Sequence, residues 1–438
     1  MGISKNIFYN LISQVPQLLS GILVSILSTR ILGPEGKGIF GIITYDIMFF
    51  GLLMGLGVNM AASFFIASKQ TDAPKILGLG LYHLILNTTA LALFLFGLHL
   101  AWPQNSIVPS NDSFSLVFIY VIVAFALNYF MSTMSSVFYG SKKFKYLNRS
   151  LIIKAVVNLS VFGCLYWIHL QSPLGIDAVI LASLLVIIIQ SIYWLVAYII
   201  EFGAWPVLGK SVREQITLLL SFSIIGYFSN LLNFLNYRLD IYIVESYTTL
   251  DQVGFYILAV NLTQMLWLVS DPIAGIIKPY LADPKFKPVR IRFFEAYQRL
   301  NATIIMVLSI IGWLLAEWLI PLLYGEAFRT AVIPFRILLI GNFFACSSKV
   351  YGVYNFVSNK IKYNLQATAV GLIMTISFDF LWIPSYGITG AAWASNVAYF
   401  AIFVYLVAVY KIKLGLKLSN LFIFTPSDFK FLKNEQRS

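Results

Sequence analysis

Twelve long apolar runs constrain the fold of this chain more than any other feature of its sequence. Each run is long enough to cross the hydrocarbon core of a bilayer as a helix, which takes about 20 apolar residues. The runs lie at 7–30, 38–68, 76–101, 114–138, 151–169, 176–200, 216–244, 253–277, 300–322, 331–357, 363–383 and 388–410. They do not alternate as the strands of a membrane β-barrel do. Because 59% of the residues are hydrophobic and only 11% are charged, the sequence predicts an all-α polytopic membrane protein with twelve transmembrane helices.

The second half of the sequence repeats landmarks of the first half in the same order. Gly38-Ile39-Phe40 returns as Gly254-Phe255-Tyr256 after 216 positions, and Lys143-Phe144-Lys145-Tyr146 returns as Lys360-Ile361-Lys362-Tyr363 after 217. The stretch from Gly175 to Ser183 returns as Gly387 to Ser395 after 212. A membrane protein built of two equivalent halves has a natural site between them, which rocking of the halves exposes to either side. The repeat therefore indicates transport.

The repeat also predicts how the chain is divided. We expect two six-helix lobes at 1–200 and 216–412, a cytoplasmic linker at 201–215 and a cytoplasmic tail at 413–438. Because each lobe has an even number of helices, the two lobes share one orientation and the repeat is parallel.

Positive charge predicts the orientation of the helices. With the N-terminus inside, 23 of the 30 Lys and Arg residues fall in inside loops and tails, three fall in outside loops and four lie at membrane depth. Since cytoplasmic loops carry the excess of Lys and Arg, both termini are predicted to be cytoplasmic. The net charge of +12 then follows from topology and requires no nucleic acid. The basic loops would also attract anionic membrane lipids.

Motifs for catalysis are missing from the sequence. It contains no GxxxxGK[ST], HExxH or GxSxG pattern, no CxxC pair and only three His residues. The longest predicted outside loop, about 102–113, is too short to hold an enzyme domain. The sequence therefore predicts a protein that is not an enzyme and has neither a metal site nor a cofactor.

Ionisable residues within the apolar runs are the first candidates for a site, because a charge at bilayer depth usually faces a cavity or a partner. The acidic ones are Asp46, Asp240, Asp271, Glu317 and Asp379; the basic ones are Lys154, Arg238, Arg336 and Lys349, with Arg30 at the end of the first run. They fit a solvated cavity with charged walls, but they also fit structural pairing or snorkelling. Asp271 precedes Pro272, which indicates either a proton or Na⁺ site beside freed carbonyls or a static kink.

Two predicted helices carry polar stripes. Gln14 and Gln17 lie on one face of the first helix, and Asn230, Asn233 and Tyr237 lie on one face of the seventh. Helix–helix hydrogen bonding explains such stripes in any bundle. Because they are clearest on the two helices that begin the two lobes, we favour the lining of a cavity.

Four short motifs are spread along the chain between residue 30 and about residue 395. They are Arg30-Ile31-Leu32-Gly33-Pro34-Glu35-Gly36-Lys37-Gly38-Ile39-Phe40, Gly55-Leu56-Gly57-Val58-Asn59, Val253-Gly254-Phe255-Tyr256 and Tyr386-Gly387-Ile388-Thr389-Gly390-Ala391-Ala392. Together they resemble the motifs of Wzx-type polysaccharide flippases, which belong to the multidrug/oligosaccharidyl-lipid/polysaccharide exporter (MOP) superfamily.

The resemblance implies a MATE-like fold, with two six-helix lobes around a central cavity and transport by alternating access. It implies that undecaprenyl-diphosphate-linked oligosaccharides are moved across the bacterial cytoplasmic membrane, for O-antigen, capsule or exopolysaccharide. It also implies a drive by H⁺ or Na⁺ flux, with a polysaccharide polymerase and a chain-length regulator as partners.

This substrate gives the candidate residues their expected roles. Cationic side chains bind a diphosphate well, and the candidates for this role are Arg30, Lys154, Arg238 and Lys349. Polar stripes suit sugars, and the candidates are Gln14, Gln17, Asn230, Asn233 and Tyr237. The candidates for ion coupling or charge pairing are Asp46, Asp240 and Asp271.

Three other functions are alternatives to a flippase of lipid-linked oligosaccharides. A drug/cation antiporter of the same superfamily would need a cavity dominated by acids, whereas the charges here are mixed. A lipid II flippase usually carries two further helices. A membrane polymerase or glycosyltransferase should show a large outside loop with carboxylates or His, and the sequence predicts none.

Overall fold

The computed structural model describes residues 3–101, 114–203, 205–207, 212–282, 288–414 and 422–435. The helices are α1 (Ile3–Gly55), α2 (Val58–Ala67), α3 (Ala73–Ala101), α4 (Phe114–Gly140), α5 (Phe144–Gln171), α6 (Ile176–Phe202), α7 (Val212–Tyr247), α8 (Leu250–Gln264), α9 (Trp267–Ala282), α10 (Arg290–Tyr324), α11 (Val332–Val357), α12 (Lys362–Leu414) and α13 (Pro426–Glu435). A short 3-10 helix, Glu326–Ala331, links α10 to α11. The described ranges contain no β-strand, and the predicted all-α fold is confirmed.

The two longest helices, α1 and α12, each contain a reversal at one glycine. Gly33 has φ of 63° and Gly387 has φ of 53°, and each separates two helical arms. These angles lie in the left-handed region, where glycine carries no steric cost from a Cβ atom. Residues 31–37, which separate the first two predicted runs, lie within α1, and Gly33 is the non-helical residue among them.

With these two reversals, the helices of the structure account for the twelve predicted membrane spans. Within the described ranges, nine helical stretches are long and apolar enough to cross a membrane, and α1 and α12 account for two of them. Since each of these two contains a second arm, they contribute two further crossings. The 36-residue α7 is about 54 Å long at 1.5 Å per residue and supplies the twelfth. The protein is therefore a multi-pass membrane protein.

The second apolar run of each half is interrupted within the membrane. Leu56 and Gly57, with φ of 46° and 71°, separate α1 from α2. A Cβ atom on Gly57 would lie only 2.9 Å from the Cβ atom of Ser223, so the close approach requires glycine. In the second half, Met265 and Leu266 separate α8 from α9. Irregular backbone at this depth is tolerated only where protein or water covers it.

The chain divides into two compact units, residues 1–231 (unit 1) and 232–438 (unit 2), and the division falls within α7. In unit 1, α4 packs against α2, α3 and α6. In unit 2, α11 packs against α8, α9, α10 and α12. The predicted lobe limits, with a linker at 201–215, stay a prediction.

The predicted tail contains an ordered segment, residues 422–435 (the C-terminal segment), which packs on unit 2. Asp428 is buried and accepts hydrogen bonds from Nε and Nη2 of Arg299, at 2.9 and 2.5 Å, and from the backbone N–H of Thr425 at 2.9 Å. Burial alone would raise the pKa of Asp428, but the hydrogen bonds from Arg299 and Thr425 lower it below its ordinary value. Phe422, Phe424 and Phe431 pack against the apolar core of unit 2.

Candidate functional site

A polar cavity in unit 1 brings together two of the predicted site residues, Gln17 and Lys154. The cavity has a volume of about 380 Å³. The other polar side chains that line it are Asn128, Ser132, Ser135, Tyr139, Asn148, Ser150 and Gln190. Gln190 is fixed by hydrogen bonds from its Nε2 to the carbonyl and hydroxyl oxygens of Ser150, at 3.1 and 2.6 Å. The cavity thus combines hydrogen-bonding groups with one ammonium group, which suits a ligand rich in hydroxyls and negatively charged.

Three other predicted residues of unit 1 do not line this cavity. Arg30 is exposed, and its Nη1 donates to the Tyr166 hydroxyl at 3.4 Å. Asp46 is buried, with 3% of its surface exposed, and Asn230 is exposed on α7. The side chain of Gln14 lies outside the described residues.

In unit 2, three predicted residues meet around Trp267. The Lys349 Nζ atom pairs with the Asp271 carboxylate at 2.6 Å and lies 4.1 Å from the centre of the Trp267 ring. The Tyr237 ring meets the same indole edge-on, with centroids 5.0 Å apart. The Trp267 Nε1–H donates to Asn342 Oδ1 at 2.7 Å. Lys349 and Asp271 therefore form an ion pair with each other. This arrangement corresponds to the charge-pairing role that was one of the two expected for Asp271.

Sequence reasoning missed Trp267, which lies inside the continuous apolar run 253–277. Trp267 is the first residue of α9, immediately after the interruption at Met265 and Leu266. Arg238, also a predicted residue, donates from Nη2 to Gln264 Oε1 at 2.8 Å, immediately before the interruption. Asn233 accepts a hydrogen bond from Thr368 at 3.4 Å. The interruption thus lies among several of the candidates.

A second group in unit 2 is a buried network around Asp240 (the acid network). Asp240 Oδ2 accepts hydrogen bonds from the Tyr256 hydroxyl at 2.6 Å and from the Ser395 hydroxyl at 3.2 Å, and Oδ1 accepts from the backbone N–H of Ile241 at 2.9 Å. Asp379, with 0% of its surface exposed, interacts electrostatically with Asp240. The Asp379 oxygens accept no hydrogen bond from the described residues.

The charges of the acid network do not balance when both acids are ionised. Among the described residues, Arg238 attracts Asp240, whereas the charge that acts on Asp379 is the like charge of Asp240. An uncompensated buried carboxylate is costly, and a bound proton or a monovalent cation would complete the balance. The described part of the chain holds no group of three or more His, Cys, Asp or Glu side chains that could bind a metal ion.

Two tight turns set the depth of the acid network. Asp240 and Tyr256 each lie eight residues from Thr248, where α7 turns into α8, and Asp379 and Ser395 each lie eight residues from Gly387. Eight residues of helix span about 12 Å, so the four side chains lie at one depth below the two turns. Tyr256 and Ser395 entered the sequence argument only as landmarks of the repeat.

The fold defines a class, the MATE-like helical membrane fold, which solved structures of transporters share. A structure titled "Lipid II flippase MurJ, inward closed conformation" has a TM-score of 0.74 and 13% identity, covering 92% of this chain and 87% of that chain. An inward-facing MATE transporter of the MOP superfamily has a TM-score of 0.69 and 13% identity, covering 91% and 96%. The Vibrio cholerae MATE transporter VcmN has a TM-score of 0.62 and 15% identity, covering 93% and 97%.

Within this class, the sequence identifies the family. The profile of the family described as "Polysaccharide biosynthesis protein" matches residues 3–284, and the chain belongs to that family. A comparison with curated proteins finds no match. The predictions of a MATE-like fold and of membership in the MOP superfamily are confirmed.

Proposed function

We propose that this protein translocates a lipid-linked oligosaccharide across the bacterial cytoplasmic membrane, with both termini in the cytoplasm. The family and the fold make it a transporter or flippase of the MOP superfamily. The observation that carries the choice of substrate is the polar cavity of unit 1, with Lys154 and Gln17 in its lining.

The chemistry of this cavity suits the polar head of such a substrate. Amide and hydroxyl side chains hydrogen-bond sugar hydroxyls, and the Lys154 ammonium attracts a phosphate. At about 380 Å³ the cavity is near the lower end of typical ligand pockets, roughly 300–1,000 Å³. It would therefore hold only part of an oligosaccharide-diphosphate at a time, and the prenyl tail would remain in lipid.

The acid network of unit 2 supports a drive by H⁺ or Na⁺. Two buried carboxyl groups near one guanidinium favour the uptake of one further positive charge. A network that binds and releases such a charge could bias the transporter between states, because its charge balance changes on binding. A polysaccharide polymerase and a chain-length regulator would then act on the delivered units.

Replacement of one cavity residue in cells that lack the chromosomal copy tests the substrate. Lys154→Gln should reduce surface polysaccharide by roughly tenfold, equivalent to about 1.4 kcal/mol, while complete lipid-linked units accumulate on the cytoplasmic side. Lys145→Gln is the matched control, because Lys145 is an exposed lysine on the same helix that does not line the cavity. Protein levels are compared by immunoblot. Normal export with Lys154→Gln at a normal protein level contradicts a role for the cavity in binding substrate.

The same strains separate the competing functions. The acid network is the observation that favours a drug/cation antiporter, and that function predicts drug sensitivity with normal polysaccharide in the null strain. A lipid II flippase predicts loss of cell-wall synthesis. Normal repeat units outside the cell, left unpolymerised, would indicate a polymerase.

A further inference from the structure

A groove between α10 and α11 lies apart from the polar cavity and from the acid network. It has a volume of about 500 Å³ and an almost entirely apolar lining, in which Arg336 is the charged residue. The lining residues are Met306, Ser309, Ile310, Trp313, Leu314, Arg336, Leu339, Ile340, Phe343 and Phe344. Leu314 has 62% of its surface exposed and Ile310 has 53%. Both helices are long and apolar enough to span a membrane, so this surface faces hydrocarbon.

The guanidinium of Arg336 is held at one end of the groove with one edge free. Its Nε donates to the Trp313 carbonyl oxygen at 3.0 Å, and its Cζ atom lies 4.8 Å from the centre of the Trp313 ring. Nη1 makes a long contact of 3.4 Å with Glu317, whose other oxygen pairs with Arg329 at 2.8 Å. Nη2 donates to no group within the described ranges. Arg336 is therefore oriented in advance and can still donate to an anion.

Phe343, at the opposite end of the groove, contacts an apolar side chain from elsewhere in unit 2. Phe422 of the C-terminal segment stacks on Phe343, with ring centroids 6.1 Å apart. The Phe422 carbonyl oxygen accepts a hydrogen bond from Thr303 at 3.2 Å, one turn of α10 from Met306. Phe343 thus belongs both to the groove lining and to an apolar contact within unit 2. The part of the groove between Arg336 and Phe343 is about 11 Å long at 1.5 Å per residue.

We propose that this groove binds a phospholipid with a single anionic phosphodiester, such as phosphatidylglycerol, with one acyl chain in the groove and the phosphate at Arg336. One free edge of a guanidinium matches one phosphodiester. A groove of about 11 Å accommodates part of an acyl chain, and the remainder would stay in the bilayer. Arg336 lies about 6 Å inside the start of α11, a depth at which arginine snorkels toward lipid phosphates. Arg329 is also paired with Glu326 at 3.0 Å, and the lipid phosphate would accept hydrogen bonds from Nη2 of Arg336.

Quenching of Trp313 fluorescence by brominated lipids tests this site directly. The full chain is reconstituted in nanodiscs with increasing fractions of phosphatidylglycerol or phosphatidylcholine, each brominated on one acyl chain. The Trp313 signal is the difference between the parent protein and Trp313→Phe. We expect half-quenching of that signal at an at least threefold lower fraction of phosphatidylglycerol than of phosphatidylcholine.

Substitutions at the two arginines sharpen the test. Arg336→Gln should abolish the preference, whereas Arg329→Gln, in the same charge cluster but not in the groove lining, should retain it. If Arg336→Gln does not fold, Ile340→Trp should fill the groove and weaken quenching by both lipids with Arg336 intact. Equal quenching by both lipids, or an unchanged preference in Arg336→Gln, overturns the proposal. Protection of Trp313 from both lipids would mean that protein covers the groove, and it overturns the proposal as well.

Discussion

Unit 1 and unit 2 carry different chemistry at positions that the internal repeat makes equivalent. In unit 2 these positions form the acid network. The repeat offsets of 212 to 217 assign Asp240, Tyr256, Asp379 and Ser395 to Val24, Phe40, Phe162 and Ser183 of unit 1. There, Val24, Phe40 and Phe162 belong to one apolar cluster, and the Ser183 hydroxyl donates to the Val179 carbonyl of its own helix at 2.7 Å. One scaffold therefore builds an apolar core in one unit and a buried pair of acids in the other.

This difference separates what the fold requires from what it tolerates. The apolar cluster of unit 1 shows that the scaffold packs without ionisable groups at these positions. Buried carboxyl groups are costly, and replacing buried ionic groups by apolar ones is often neutral or stabilising. The fold therefore does not require the acid network for its packing. The presence of the network in unit 2 supports a role in ion coupling.

Placing an acid in the apolar cluster of unit 1 should have the largest effect. Phe162 has 4% of its surface exposed, so Phe162→Asp would bury a carboxyl group without partners and leave a cavity. We expect a loss of about 3–5 kcal/mol, measured as a fall in the unfolding temperature and in the yield of purified protein. Phe162→Leu, which keeps an apolar side chain, should cost less than about 1.5 kcal/mol. Wild-type stability of Phe162→Asp would mean that both units accommodate an acid, and the comparison would fail.

Removing an acid from unit 2 should affect transport more than stability. Asp379→Asn eliminates the carboxyl that accepts no hydrogen bond from the described residues, so the unfolding temperature should stay the same or rise. Ion-driven export should fall at least ~10-fold, or about 1.4 kcal/mol, in cells and in proteoliposomes with an imposed H⁺ or Na⁺ gradient. Undiminished, gradient-dependent transport by Asp379→Asn would exclude this side chain from coupling.

The smallest effect is expected when one hydroxyl oxygen is removed from unit 2, which gives one position the residue type of unit 1. Tyr256→Phe places the residue type of Phe40 at the equivalent position and removes the hydrogen bond to Asp240. The Asp240 carboxyl keeps its bonds from Ser395 and Ile241, so we expect about a fivefold change in the ion concentration that half-saturates transport, or ~1 kcal/mol. Tyr247→Phe, at a tyrosine with 53% of its surface exposed, serves as the control. An identical ion dependence in Tyr256→Phe and Tyr247→Phe would show that the hydroxyl does not tune the network.

The features that depend on local sequence were predictable. Apolar runs and repeated motifs predicted the helical fold, the number of spans and the chemistry of the candidate residues. Apolarity did not reveal that Gly33 alone reverses the chain between the runs 7–30 and 38–68.

Features that depend on packing between distant segments could not be predicted. Tyr256 and Ser395 become partners of Asp240 only because two turns bring three helical arms together. The packing of Phe422 on Phe343 joins residues 79 positions apart, and no periodicity records such a contact. Gln17 and Lys154 share a cavity for the same reason.

The symmetric turns at Thr248 and Gly387 have an electrical consequence. They hold the acid network about 12 Å below the turns, in a hydrocarbon core about 30 Å thick, or between a third and a half of the way across. A full crossing by one elementary charge is worth about 2.3 kcal/mol per 100 mV. An ion that reaches the network from the side of the turns would therefore sense roughly 0.8–1.1 kcal/mol per 100 mV. The lengths of two helical hairpins thus set how strongly membrane voltage acts on ion binding.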